Sequence, residues 1–321
     1  MAPDRPPCEV AGMTDAAKGT LAITACYAIW GLSPIFYKAL AAVPPTEVLA
    51  HRTLWSVVAL GAVLAVQGRL GALAALLRRR PGRTALAGTL IGANWFLFIY
   101  AVSSGETVQS ALGYYILPLG AALTGWFLFG ERLGPLRWTA LALAAAAIAI
   151  LGAGTGGVPW LALALMGSFL AFSVIKKNAR DDAVLTTCAE ALVLAPVALL
   201  WLATLHTGLA APDPVPAAHP LTVTAGPAAF GTGLAVTLLL AAAGPMTAVP
   251  LMLYSYAATR IELGQAGFLI YLNSTLQLVC GVLLFGEAFT PAHAAGFALI
   301  WMAVAAYTLG ARGFDPAPAR R

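Results

Sequence analysis

The chain has 321 residues, of which 60% are apolar and 10% charged, with 18 Lys and Arg against 13 Asp and Glu and a mean hydropathy of +0.84. A soluble domain carries about 25% charged residues, so this composition excludes one and points to an all-α integral membrane protein. At about 20 residues per span, the length allows roughly ten transmembrane helices.

The first 17 residues are polar, with Pro3, Asp4, Pro6, Pro7, Glu9 and Asp15 and no basic leader, and read as a disordered tail. Apolar runs then predict spans at residues 19–40, 47–67, 84–103, 108–129 and 136–151, followed by 160–175, 183–205, 232–258, 264–285 and 291–309. Pro44 and Pro45 precede the second span, Pro135 the fifth, and Pro291 opens the tenth, where a missing N–H is tolerated. Residues 206–229 hold Pro212, Pro214, Pro216, Pro220 and Pro227 and read as an exposed extracytoplasmic loop, mobile and outside the chemistry. Residues 312–321 read as a second tail. Cys8, Cys26, Cys188 and Cys280 have no close spacing, so neither a disulfide framework nor a metal site is expected.

With the N-terminus in the cytoplasm, all but two of the 18 Lys and Arg fall in cytoplasmic segments, the exceptions being Lys38 and Arg52. The positive-inside rule then places both termini in the cytoplasm of an inner-membrane protein. The net charge of +5 reports that face and its anionic lipids rather than nucleic acid.

A repeat organises the chain. Glu106 to Pro135 returns as Glu262 to Pro291 without a gap, pairing Gln109 with Gln265, Tyr115 with Tyr271, Gly125 with Gly281, and Phe129-Gly130-Glu131 with Phe285-Gly286-Glu287. Two units follow, residues 18–151 and 152–311, of five helices each. Five is odd, so the second unit enters from the opposite side and runs inverted, as in secondary transporters.

Ionisable groups inside lipid are costly and face a cavity or a partner. The second helix starts with Glu47, His51 and Arg52; the first two share a face and Arg52 lies about 100° further round. Glu47 is equally placed to reach the headgroups, whereas His51 and Arg52 read as cavity-lining. Glu190 lies deep in the seventh span. Lys38 to Arg52 and Lys176 to Glu190 are both 14 residues, which makes Arg52 and Glu190 equivalent positions of opposite charge and candidates to face a common cavity. A structural ion pair and a substrate or proton site are both open for Glu190. Trp30, Lys38, Asn94, Trp95, Tyr115, Tyr271 and Asn273 complete the substrate or cavity candidates, and Gly244, Pro245 and Pro250 mark either a hinge or a kink.

Several of these stretches resemble the RarD-type members of the EamA family, within the drug/metabolite transporter superfamily. The resemblance covers about residues 18–312 and rests on Trp30-Gly31 with Pro34, Glu47 with His51-Arg52 and Ser56, Asn94-Trp95, Leu112-Gly113-Tyr114 with Pro118-Leu119, and Gly130-Glu131-Arg132. Further on it rests on Gly244-Pro245 with Thr247 and Pro250, Gly267-Phe268-Leu269 with Tyr271, and Gly286-Glu287 with Phe289. It implies ten helices in two inverted five-helix repeats around a shared central cavity. The ninth span departs from the pattern: it carries Ile270, Tyr271, Asn273 and Ser274, with Ser274 where the first copy has Pro118.

The expected function is secondary transport of small polar or amphipathic metabolites or drugs by alternating access, with export implied by the resemblance and protons as a candidate coupling ion. No cofactor is expected: there is no GxxxxGK[ST] loop for ATP, and no HExxH, HxxxxD or DxxxD for a membrane-embedded enzyme. A channel or a scaffold protein is the alternative. The partners expected are a small-molecule substrate and the bilayer, and no oligomeric state is indicated.

Overall fold

The structure is a computed structural model that describes residues 14–176, 182–209, 220, 222, 227–261 and 263–313. Among them the chain forms eleven α-helices and no strand: α1 (Asp15–Ala39), α2 (Pro45–Val66), α3 (Leu70–Arg79), α4 (Pro81–Ser103), α5 (Thr107–Phe129), α6 (Pro135–Thr155), α7 (Trp160–Lys176), α8 (Ala183–His206), α9 (Leu234–Ala258), α10 (Leu263–Val279) and α11 (Pro291–Gly313). A π-helical turn, Cys280–Leu284, continues α10. Eight helices are long and apolar enough to cross a membrane, and Trp160–Lys176 and Leu269–Leu284 add two shorter apolar stretches. All ten predicted spans are helices, and the protein is a multi-pass membrane protein.

Local chemistry sets the ends. Thr14 caps α1 by accepting from the Ala17 N–H at 3.2 Å, and Asp182 caps α8 by accepting from Leu185 at 2.9 Å. Pro45, Pro81 and Pro135 stand in the first turns of α2, α4 and α6, where their missing N–H has no intrahelical partner to lose. Gly130 ends α5 at φ 66° and Gly286 ends the π turn at φ 67°, in the left-handed region that glycine adopts without strain.

Three boundaries differ from expectation. Asp15 to Ala17 belong to α1 and α11 runs on through Gly313, so parts of both expected tails are helical; the remainder, 1–13 and 314–321, lies outside the described residues. Most of the proline-rich loop also lies outside them, but its end at Ala228 and Ala229 is held by Glu47. Helix α3 was not expected. It is too short and basic to read as a span, and it forms because Leu73, Leu76 and Leu77 recur on one face and pack against Val184, Leu185 and Cys188 of α8.

The inverted repeat is visible in reciprocal contacts. A Cβ on Gly154, at the end of α6, would meet Ala292 at the start of α11, and one on Gly310, at the end of α11, would meet Leu136 at the start of α6. Residues 154 and 310 are equivalent in the repeat, as are 136 and 292, so the contact is returned, as a two-fold requires. The two helices are antiparallel. Helix α1 packs on α9 and α10 while α7 packs on α4 and α5; α2 packs on α8, α5 on α10, and α6 on α11. Exchanging the copies leaves this pattern unchanged, and the main packing runs between copies rather than within them.

Candidate functional site

The start of α2 carries the first cluster. Glu47 is fully buried, and its two carboxylate oxygens accept from the amides of Ala228 and Ala229 at 2.8 and 2.7 Å. It does not reach the headgroups: it staples the segment before α9 onto α2 with two charge-assisted bonds. Ala228 is held there at φ 54°. One turn on, His51 stacks on Phe230 with centroids 4.9 Å apart, and its Nε2 is buried with no hydrogen-bond partner.

Arg52 is 7% exposed. Its Nε donates to Thr247 Oγ1 of α9 at 3.2 Å, and its guanidinium carbon lies 4.3 Å from the Trp95 ring centroid and 5.5 Å from that of Tyr37. Aromatic faces stabilise a buried guanidinium through their negative quadrupole without using its N–H groups. Among the described residues no carboxylate pairs with Arg52. Among the described residues the result is a desolvated cation held by two aromatic faces and one hydroxyl.

Beside it, Asn94 ties α4 to α7 and α5. Its Nδ2 donates to the Leu165 carbonyl at 2.9 Å and to Ser168 Oγ at 3.0 Å, and its Oδ1 accepts from Tyr114 OH at 3.2 Å. A second polar layer lies between α5 and α10. Ser110 donates to Gln277 at 2.9 Å, Gln277 donates to Asn273 at 2.9 Å, and Tyr115 bonds Thr275 at 2.6 Å while stacking on its repeat partner Tyr271 at 6.1 Å. Lys38 is occupied: its Nζ donates to the Val102 carbonyl at 3.3 Å and lies 5.4 Å from the Phe285 centroid. Trp30 sits apart, against Tyr27 and Tyr254.

At the opposite end, Glu190 is 3% exposed and pairs with Lys176 at 3.0 Å. The expected common cavity with Arg52 is therefore corrected, because the lysine ending α7 reaches the carboxylate and Arg52 turns to α9. Asp182 pairs with Arg69 at the head of α3. Burial alone would raise the Asp182 carboxyl, but the Leu185 amide and the Arg69 guanidinium outweigh it and hold it below the usual range. Helix α9 is unbroken through Pro245 and Pro250. Gly244 is a packing position, since a Cβ there would run into the Trp55 carbonyl oxygen.

The structure thus gathers Arg52, Trp95, Tyr37 and Thr247 in one group, and Asn94 with Tyr114 in another. Thr247, Ser168, Thr275 and Phe230 were not singled out from sequence as site residues. Thr247 stands three residues after Gly244, within a motif that was noticed, whereas Ser168 and Thr275 inside apolar helices and Phe230 in the turn before α9 give no signal of their own.

Comparison with known proteins agrees with this architecture. The EamA-like transporter family matches residues 17–153. The chain is 37% identical to Protein RarD of Streptomyces exfoliatus, over 88% of this chain and 85% of that one. It is 36% identical to a protein of Pseudomonas aeruginosa named as an uncharacterized transporter, over 91% and 93%. A solved crystal structure 22% identical in sequence superposes with a TM-score of 0.55, covering 92% of this chain and 99% of the other, and shares the fold.

Proposed function

The chain belongs to the EamA-like transporter family, a membrane transporter family of the drug/metabolite superfamily, and on that premise we propose that it exports small amphipathic solutes carrying an anionic group, as a secondary transporter working by alternating access. Both termini then lie in the cytoplasm, a placement that the distribution of Lys and Arg supports. The observation that carries the substrate class is Arg52: a buried guanidinium clamped by Trp95 and Tyr37, held by one bond to Thr247, with no carboxylate partner among the described residues. A carboxylate or phosphate on the solute would take the fork bidentately, and the indole and phenol rings would cover its apolar part. Transport follows if the two inverted units bind that solute differently in their two arrangements. The chain works on this reading as a carrier, not as an enzyme.

The test is a thermal-shift screen of purified protein with aromatic and aliphatic carboxylates, each beside its neutral amide. Acids should raise the midpoint by mass action where amides do not, and Arg52→Gln should abolish the difference. Equal shifts from acid and amide would overturn the substrate class. Counterflow in proteoliposomes with the best acid separates a carrier, which accelerates exchange, from a channel, which does not.

A further inference from the structure

Helices α7 and α8 share little packing; α7 leans on α4 and α5, and α8 on α2, α4 and α9. They are joined at one end by Lys176, whose Nζ reaches Glu190 Oε1 at 3.0 Å and Thr186 Oγ1 at 2.7 Å. The other carboxylate oxygen, Glu190 Oε2, is buried without a hydrogen-bond partner. Glu190 lines a cavity of about 30 Å³ with Lys176, Thr186, Thr84, Ala87, Leu76, Arg80 and Arg83. That volume suits a water or two and no organic solute.

We propose that Glu190 Oε2 is a proton-binding site and that loading it loosens the tie of α7 to α8, coupling transport to a proton. This rests on the reading of the chain as a secondary transporter and adds its coupling ion. The proton arrives from water through the cavity and forms an O–H bond at Oε2, and the carboxylate becomes a neutral acid. Lys176 stays an ammonium, keeps Thr186 and the face of Phe172 at 4.8 Å, and loses its charge partner. At the only end where the two helices are cross-linked by charge among the described residues, the tie then keeps a neutral carbonyl acceptor at Oε1 and loses the ammonium–carboxylate attraction.

The neighbouring charges favour a proton over other ions. Lys176 from α7 and Arg80 and Arg83 at the start of α4 all line the cavity, so a sodium ion would meet three cations, while an anion would meet the carboxylate. On α3, Arg78 and Arg79 are exposed, and Arg69 at its head is held by Asp182. Helix α2 contributes Glu47, His51 and Arg52, engaged with Ala228 and Ala229, Phe230, and Thr247 respectively; α9 carries no charged residue, only Tyr254 and Tyr256.

The experiment is hydrogen–deuterium exchange of the last turn of α7, Ser173 to Lys176, in the full-length protein across a pH series, corrected for intrinsic exchange. Wild type should open about tenfold more on the acid side of a one-proton transition, the factor that corresponds to one unit of coupling. Glu190→Gln should be open at every pH, with the transition gone. Lys176→Met should likewise be open at every pH, because the ammonium through which the carboxylate holds α7 is gone. A flat wild-type profile, a transition that survives in Glu190→Gln, or one that survives in Lys176→Met would each overturn the proposal. If Glu190→Gln does not fold, the wild-type profile and Lys176→Met decide it. Failure here leaves Arg52-dependent stabilisation by acids intact, and failure of the Arg52 reading leaves this transition intact, so the two are told apart.

Discussion

Arg52 and Glu190 are buried charges on α2 and α8, one in each copy, yet each is buried by a different device. Arg52 lies between two aromatic faces with one hydroxyl at Nε, whereas Glu190 is held by the ammonium of Lys176. Aromatic rings neutralise a cation without filling its hydrogen-bond sites, whereas an ion pair cancels the charge and locks two helices together. On the two proposals above, the scaffold carries two unlike sites, one for an anion and one for a proton.

The comparison breaks most sharply at Lys176. Lys176→Met leaves Glu190 as a buried, unpaired carboxylate and should cost about 3–5 kcal/mol near neutral pH, recovered in the Lys176→Met, Glu190→Gln double variant. Arg52→Gln strands no carboxylate and should cost markedly less. Thermal unfolding in detergent reads all three, and equal losses in the two single variants would remove the distinction.

The paired glycines come next. Gly88 and Gly244 are equivalent in the repeat, but a Cβ on Gly244 would run into the Trp55 carbonyl oxygen and one on Gly88 would lie 2.9 Å from that of Glu190. Neither helix backbone can move aside locally, so Gly244→Ala should lose about 3 kcal/mol and Gly88→Ala about 1 kcal/mol. The two midpoints measured side by side check the order.

Glu47 and Asp182 stand near the starts of α2 and α8 and give the smaller effects. Glu47→Gln turns two charge-assisted bonds into at most one neutral one and should cost about 2 kcal/mol, with faster hydrogen exchange at Ala228 and Ala229 as the local readout. Asp182 and Arg69 are both about a third exposed, and solvent screening limits Asp182→Asn to below about 1 kcal/mol. The Asp182 carboxyl is held below its ordinary value of 3.8, so its contribution is present above that pH and is lost as the pH falls through the lower folded value. The difference in midpoint between wild type and Asp182→Asn should accordingly hold at neutral and mildly acidic pH and shrink as the pH falls below 3.8.

What could be read from the residues alone follows from length, periodicity and the cost of charge in lipid. The ten spans and the inverted repeat rest on long apolar runs and on rare letters recurring at one offset, and those signals survive whatever the helices pack against. The burial of His51, Arg52 and Glu190 was legible for the same reason, whereas Glu47 was equally placed to reach the headgroups. Their partners were not legible, because partners are set by which helices meet, and here these contacts run mostly between copies far apart in sequence. Glu47 finds two backbone amides 181 and 182 residues away, and a backbone N–H has no letter. Arg52 finds Thr247 rather than Glu190 because α9 crosses α2 at Gly244, a contact that only a missing side chain permits. Helix α3 was hidden because its stability comes from leucines lying on α8 rather than from its own ten residues.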